Sequence, residues 1–176
     1  MELATSDALF FYSKSKDALP GKGANERVAT PSRYMELSKF ANWRRVLSNF
    51  HVHPFKYNGY TYGSIEHAFQ AVKIALVDKD KAYQFTVDSQ SELGLGNGAD
   101  AQKARKLALL NKEQIGEWAR ISRNIMADIA KAKYAQCELA CEILMATNDA
   151  ELWHIVSRKK PERFIHLENI RSELCK

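Results

Sequence analysis

The sequence predicts a mainly α chain of the α+β class, organised as a single domain over residues 1–176. Three observations predict it. Helical apolar spacing recurs through most of the second half; the turn formers Asn58-Gly59 sit between two short alternating segments; and no repeat, low-complexity tract or linker divides the chain. A chain of 176 residues buries about 70 % of its unfolded surface without help from metals or disulfides.

The elements follow in order. Residues 9–12 read as a short apolar strand, and the basic stretch SKSKDALPGKGANER after it carries Pro20, Gly21 and Gly23, which continue neither periodicity. Pro31 suits a first helical position, and a helix is expected from it through Trp43. VLSNFHVHPFKYNGYTY then alternates around Asn58-Gly59 as a two-stranded hairpin does. Ser64 stands as the N-cap of a helix over 65–76, whose core face is Ile65, Ala68, Phe69 and Val72. A helix over 81–85 precedes the loop LGLGNGAD, where Asp100 is expected to cap a helix over 101–110. Gly94, Gly96 and Gly98 lack the dinucleotide-binding pattern and read as a turn. Over 113–135, Trp118, Ile121, Ile125, Ile129 and Ala132 share one helical face, so this long helix is expected to cross the core. Helices over 138–146 and 165–174 complete the packing.

Composition bounds the function. The chain is 45 % apolar and 27 % charged, which excludes wholesale disorder. No apolar run approaches the roughly 18 residues of a membrane span, and MELATSDALFFYSKSKD has no basic segment ahead of its apolar one. A cytosolic or nuclear location without a membrane partner is expected. Cys137, Cys141 and Cys175 cannot all pair and are expected as reduced thiols; Cys137 and Cys141 fall one helical turn apart. The net charge of +5 is interspersed, so it favours phosphate-bearing partners only modestly. His51, His53, His67, His154 and His166 show no metal-ligand spacing, and neither a metal nor a cofactor is expected. Ser64 and His67 lack a Gly-x-Ser-x-Gly setting, which argues against acyl transfer.

At 100° per residue, Glu66, Gln70 and Lys73 form a polar stripe beside the core face of the 65–76 helix. By periodicity alone, a solvated helix edge is the plainer meaning. Glu66 would be the second residue of the helix, where free N–H groups and the helix dipole favour the ionised carboxylate. That suits a base or charge stabiliser better than a proton donor. A fixed anion of this kind stabilises positive charge that develops beside it and can guide water. Helix stabilisation alone would equally place a glutamate there.

The segment 45–73 carries a more specific signal. Ser48-Asn49-Phe50 is followed by Ser64, Glu66, His67, Gln70 and Lys73 in the order Ser-x-Glu-His-x-x-Gln-x-x-Lys. With FYSKSK and PGKG at 11–23, Asn42-Trp43-Arg44, and Trp118, Met126 and Ala132-Lys133-Tyr134 further on, the chain resembles the NADAR family from about Phe11 to Leu152. The resemblance implies a single-domain helical NADAR-like fold with a small hairpin, and an N-glycosidase acting on ribosyl-phosphate or ADP-ribosyl compounds. It gives Glu66 the catalytic role. It further implies that Trp118 stacks on a planar base or walls the cleft, where spacing alone fits a core tryptophan equally well, that Phe50 is among the substrate-binding residues, that Asn49 and Gln70 bond sugar hydroxyls or base edges, and that Arg44, Lys73 and Lys133 meet phosphate. Lys133 falls beside the apolar face of its helix, so it either snorkels or is paired. Lys22 and Gly23 are candidates for a diphosphate.

The family branch acting on riboflavin-pathway intermediates ends in a Trp-Gly-x-Gly segment, whereas this chain has Glu151-Leu152-Trp153-His154 and then RKKPERFIHLENIRSEL. The first expectation is therefore release of ADP-ribose from ADP-ribosylated guanine in nucleic acid or nucleotides. The alternatives are hydrolysis of a ribosyl-phosphate riboflavin intermediate and a non-catalytic module that holds ADP-ribose or NAD.

Overall fold

In the computed structural model, which describes residues 6–174, the chain is of the α+β class with helices predominating. Its backbone groups into two compact units. One is built from the two ends of the chain, through Ser48 and from Glu138 onward; the other is the continuous stretch Asn49–Cys137.

The unit made from the chain ends is organised on a small sheet. Strand β1 (Ala8–Phe11) runs parallel to β4 (Glu151–His154), which pairs antiparallel with β5 (Glu162–Arg163). All four residues of β1 are buried, as its uninterrupted apolar sequence ALFF requires. A 3-10 helix over Pro31–Lys39, helix α1 (Trp43–Val46), α7 (Glu138–Ala146) and α8 (Ile165–Leu174) belong to this unit. The helix expected to run from Pro31 through Trp43 is thus two pieces. Its first part carries a 3.0-residue turn that stacks the buried Tyr34 and Leu37 three positions apart. Phe40 is extended and Asn42 is left-handed at φ +55°, which ends the first piece before Trp43 begins the second.

The knot of this unit is a buried carboxylate. Glu26 accepts hydrogen bonds from the backbone N–H groups of Phe10, Gly21 and Gly23 and from Arg44 through both Nε (2.9 Å) and Nη2 (2.7 Å). Arg44 also donates to the carbonyls of Ala18 and Leu19 and lies over the Trp43 ring. One ion pair therefore pins the PGKG loop to β1 and α1.

The second unit begins at the loop from Asn49 and the hairpin of β2 (Phe55–Tyr57) and β3 (Tyr60–Tyr62). Asn58 and Gly59 both have positive φ, 49° and 83°, the type I′ pairing that suits a twisted two-residue hairpin. Helix α2 (Ile65–Ile74) follows, capped by the Ser64 hydroxyl, which accepts the His67 N–H. Next come α3 (Lys79–Tyr83), α4 (Glu92–Leu95), α5 (Gly98–Lys103), a 3-10 turn over Ala104–Leu107, and α6 (Lys112–Gln136). Asp100 is not the N-cap expected of it. Asn97 takes that place, and Asp100, three residues on, closes a capping box back to the Asn97 N–H.

Helix α6 does not cross the core along its whole length. Only Ile129, Ala130, Lys133 and Tyr134 are buried, while Trp118, Ile121, Ile125 and Met126 remain half-exposed. Its apolar stripe leaves the core and becomes a surface ledge. Cys137 is the C-cap of α6 and Cys141 lies in α7, so the two thiols belong to different helices, and neither is in a disulfide. Cys175 lies outside the described residues. Among the described residues no helix is long and apolar enough to cross a membrane.

Removing one partner of a buried ion pair leaves the other charged and unsolvated, at a cost of about 3–5 kcal/mol. Glu26→Ala is expected to lose stability on that scale in urea unfolding, because the Arg44 and Glu26 side chains are 3 % and 0 % exposed. A loss below about 1 kcal/mol, typical of surface pairs, would contradict the assignment.

Candidate functional site

The residues of the polar stripe on α2 do not lie on a solvated edge. Glu66 is 7 % exposed and Gln70 is 6 % exposed. The Gln70 amide donates from Nε2 to Glu66 Oε1 at 2.8 Å, and this is the one hydrogen bond to the Glu66 carboxylate among the described residues. No lysine or arginine there comes within ion-pair distance of it. Burial is the leading influence on its acidity and pushes the pKa above the ordinary carboxylate value; the Gln70 bond and the fields of Lys73 and Arg105 oppose that rise. Desolvation acts against the preference for the ionised form expected at a helix terminus, and the Glu66 N–H there is spent on the Asn49 carbonyl at 3.1 Å.

The neighbours of Glu66 are fixed by neutral contacts. His67 is fully buried; its Nε2 lies 3.0 Å from the Leu93 carbonyl, and its Nδ1 lies 2.7 Å from the Ser64 hydroxyl. A carbonyl only accepts, so Nε2 carries the proton and Nδ1 accepts from Ser64. Ser64 and His67 are thereby a strut between α2 and α4, and the hydroxyl is shut away from any substrate.

Two amide oxygens are conspicuous. Asn49 Oδ1 and Gln70 Oε1 are both buried without a hydrogen-bond partner. The Asn49 Nδ2 group meets only the Met126 sulfur at 3.6 Å, a weak acceptor. Buried acceptors left open cost about 1–3 kcal/mol each unless something donates to them. Both oxygens are open to a hydroxyl or amino donor.

Other expected residues gather in the same unit. Trp118 is half-exposed, its ring 4.9 Å from that of Phe69 on α2 at 52°, so it is not a fully buried core residue. Phe50 packs against the start of α5 so closely that a Cβ on Gly98 would come 2.4 Å from its Cα. Lys73, with Arg105, Lys106 and apolar groups of residues 108–115, lines a hollow of about 260 Å³. A larger hollow of about 360 Å³ is lined by Tyr60, Tyr62, Tyr83 and the opposite face of α2, and Glu66 is not among its walls. Glu66 does not line the smaller hollow either, although Lys73 and Arg105 at its border are the cations whose fields reach the Glu66 carboxylate.

Lys133 does not snorkel but is paired, with His51 and not with a carboxylate. It is 0 % exposed, and its Nζ donates to the His51 carbonyl at 2.7 Å and to His51 Nδ1 at 3.1 Å. Burial pushes its pKa down to about 7, with Cys137 opposing. Burial, then Lys133 and His53, drive His51 down to about 4, so the imidazole is neutral and accepts. Lys133 is closed to phosphate in this structure. The same is true of Arg44, 2 % exposed and occupied by Glu26, and of the Gly23 N–H, which is bound to that carboxylate. The PGKG loop already holds an internal anion where a diphosphate was expected, while Lys22 beside it is exposed. Arg105 and Lys106 were not singled out by the sequence reading, because a short 3-10 turn gives them no periodic pattern. Among the described residues no group of three or more His, Cys, Asp or Glu side chains converges as metal ligands do.

The NADAR domain model matches this chain over residues 10–160. No curated protein matches it significantly. Among solved structures it is similar to the NMR structure of the E. coli protein YbiA, with a TM-score of 0.58 and 21 % identity, over 77 % of this chain and 83 % of that one. At that identity the likeness is one of fold.

A folded-state pKa of about 7 for Lys133 against 10.5 unfolded has a definite sign. Between those values the unfolded chain holds the extra proton, so stability increases as pH rises through the window, and below about pH 7 the full cost of the buried charge is present. Lys133→Met is expected to remove this slope. Urea unfolding of both proteins at several pH values from 6 to 10 checks it, and parallel curves would exclude a depressed lysine.

Proposed function

The chain belongs to the NADAR family, whose members are generally N-glycosidases, and from that premise we propose that it hydrolyses the ribose–base bond of ADP-ribosylated guanine, in nucleic acid or free nucleotides. Water adds to the anomeric carbon, the C–N bond breaks, and the base departs with a proton, releasing ADP-ribose. Glu66 stabilises the oxocarbenium-like sugar and orients the attacking water. The reaction is placed in the cytosol or nucleus.

The observation that carries this reading is the state of Glu66: a carboxylate 7 % exposed, held by one neutral amide, with no cation paired to it. A structural carboxylate at such depth is ordinarily neutralised. One left with spare charge favours a cationic partner, and the positive sugar of the transition state is such a partner. The unsatisfied Asn49 and Gln70 oxygens support donors from the ribose or base on the same side, and the half-exposed Trp118 supports a planar base against α6.

Incubation with a guanine-ADP-ribosylated oligonucleotide, and separately with a ribosyl-phosphate aminopyrimidine, followed by product chromatography, tests the substrate. Release of ADP-ribose from the first supports the proposal; cleavage of the second alone would move the chain to the riboflavin-type branch. Glu66→Gln is expected to keep ADP-ribose binding and to reduce turnover about 100-fold or more. Undiminished turnover would overturn the role of Glu66, and tight ADP-ribose binding without cleavage in the native chain would indicate a binding module.

The same variant makes a second prediction. Because the folded carboxyl is raised above its unfolded value, the native state holds more protons just above that value, and ionised Glu66 costs stability as pH rises. Glu66→Gln should therefore unfold at an equal or higher temperature than the native chain at pH 7, with the advantage shrinking below pH 4.5. A clear loss of thermal stability at pH 7 would mean that the carboxylate serves the fold instead.

A further inference from the structure

We propose that the aromatic hollow on the far side of α2 from Glu66 is a stacking site for an unpaired base of a single-stranded nucleic acid, a few nucleotides from the guanine at the catalytic carboxylate. The position of that guanine rests on the N-glycosidase reading, whereas the stacking site rests on the hollow alone.

The sequence builds the hollow by setting short side chains against long ones. Side chains alternate faces along a strand, so Tyr60 and Tyr62 of β3 share one side of the hairpin. There they meet Ala71 of α2 and its C-cap Ala75, and Ala82 and Tyr83 of α3 complete the border. The alanines leave a space of about 360 Å³ between three phenol rings.

Those rings meet edge to face. Tyr60 lies 5.8 Å from Tyr83 at 66° and 6.5 Å from Tyr62 at 72°. An edge-to-face contact sets the rim of one ring against the face of another, so ring faces remain for a planar partner. Tyr60 and Tyr83 are 44 % and 40 % exposed, two large rings left side by side in water. Tyr62 is different. It is 5 % exposed, and among the described residues no group pairs its hydroxyl. Burial holds that phenol protonated, its pKa pushed up to about 12, so the wall offers a hydrogen-bond donor.

A nucleobase has the flat faces that suit the rings and the polar edge that suits the donor; an aliphatic side chain would use neither. Lys79 borders the hollow, is exposed, and forms no ion pair among the described residues, which suits a phosphate of the same strand. The net charge of +5 favours the same polyanion. Two exposed rings make a platform, whereas sites for small ligands enclose most of the ligand surface. A free nucleotide therefore gains little there, and linked nucleotides bound at several points gain together. A helix about 10–12 Å across separates the hollow from the Glu66 side. A flexible strand covers that distance in a few nucleotides, at about 3.4 Å or more each.

The test uses the full chain and an unmodified, fluorescein-labelled single strand of about twelve nucleotides, a length within the usual site sizes. Anisotropy titrations at several salt concentrations compare the native protein with Tyr60→Ala, Tyr83→Ala, Tyr60→Phe and Lys79→Gln. The native protein is expected to bind saturably; each alanine variant weakens binding about tenfold, and Tyr60→Phe, which keeps the ring, binds as the native protein does. Lys79→Gln is expected to flatten the plot of log affinity against log salt by about 0.7, the loss of one phosphate contact. Lys79 is exposed, so this arm stands even if an alanine variant fails to fold. No saturable binding, native-like binding by both folded alanine variants, an unchanged salt slope in Lys79→Gln, or guanosine monophosphate competing as well as the strand would each overturn the stacking site. A chain that releases ADP-ribose from the modified guanine yet binds no unmodified strand loses the stacking site and keeps the glycosidase reading. Ring-dependent strand binding by a chain that cleaves nothing does the reverse.

Discussion

The desolvation of Glu66 is the constraint on which the site depends. A carboxylate withdrawn from water without a cation is held at a cost, and the rest of the second unit can be read as the means of holding it there. The Ser64 cap and the buried His67 strut fix the first turn of α2, and the Asn49 carbonyl takes the Glu66 N–H. Gln70, one turn on, orients the carboxylate with a neutral donor and so leaves its charge unquenched. Each contact positions without neutralising. That combination is what electrostatic catalysis of a cationic transition state needs, because dipoles and charges set in advance do not reorganise during the reaction.

The two buried glutamates make the point by contrast. Glu26 accepts from three backbone amides and from two nitrogens of Arg44, which satisfies its charge and ties a loop to a strand and a helix. Glu66 has one amide donor. Both are acidic side chains removed from solvent, and their partners in the fold set them apart. Lys133 extends the contrast to a cation. Bound to a neutral imidazole and a carbonyl, it is pushed down to about 7 instead of forming an ion pair, and so it acts as a packing element that sheds its charge as pH rises above neutrality.

Much of the second unit was legible in the sequence because its signals are local. Asn58-Gly59 fixes the hairpin, and Ser64 with the 3.6-residue spacing fixes α2. The order Ser-x-Glu-His-x-x-Gln-x-x-Lys carries the family. What escaped the reading was non-local. Strand β4 is four residues long, and it pairs in parallel with β1 across more than a hundred residues of sequence, so no turn or alternation marks it. The apolar stripe of α6 looked like a core-crossing face, because periodicity reports which residues share a side and not whether that side is covered. Arg44 and Gly23 carried the letters of a phosphate site. Only the fold reveals that Glu26, which no motif marks, already occupies their donors.

The placement of the cations beside α2 has a mechanistic consequence. Lys73 and Arg105 lie near enough to Glu66 to oppose the rise in its pKa, and for the same reason, with no anion beside them, they weaken the negative potential that Glu66 offers to a developing sugar cation. Their fields and the Gln70 bond offset only part of the desolvation, so the carboxyl stays raised and without a paired cation, and a group that approaches it closely is favoured when it brings the positive charge that the fold withholds.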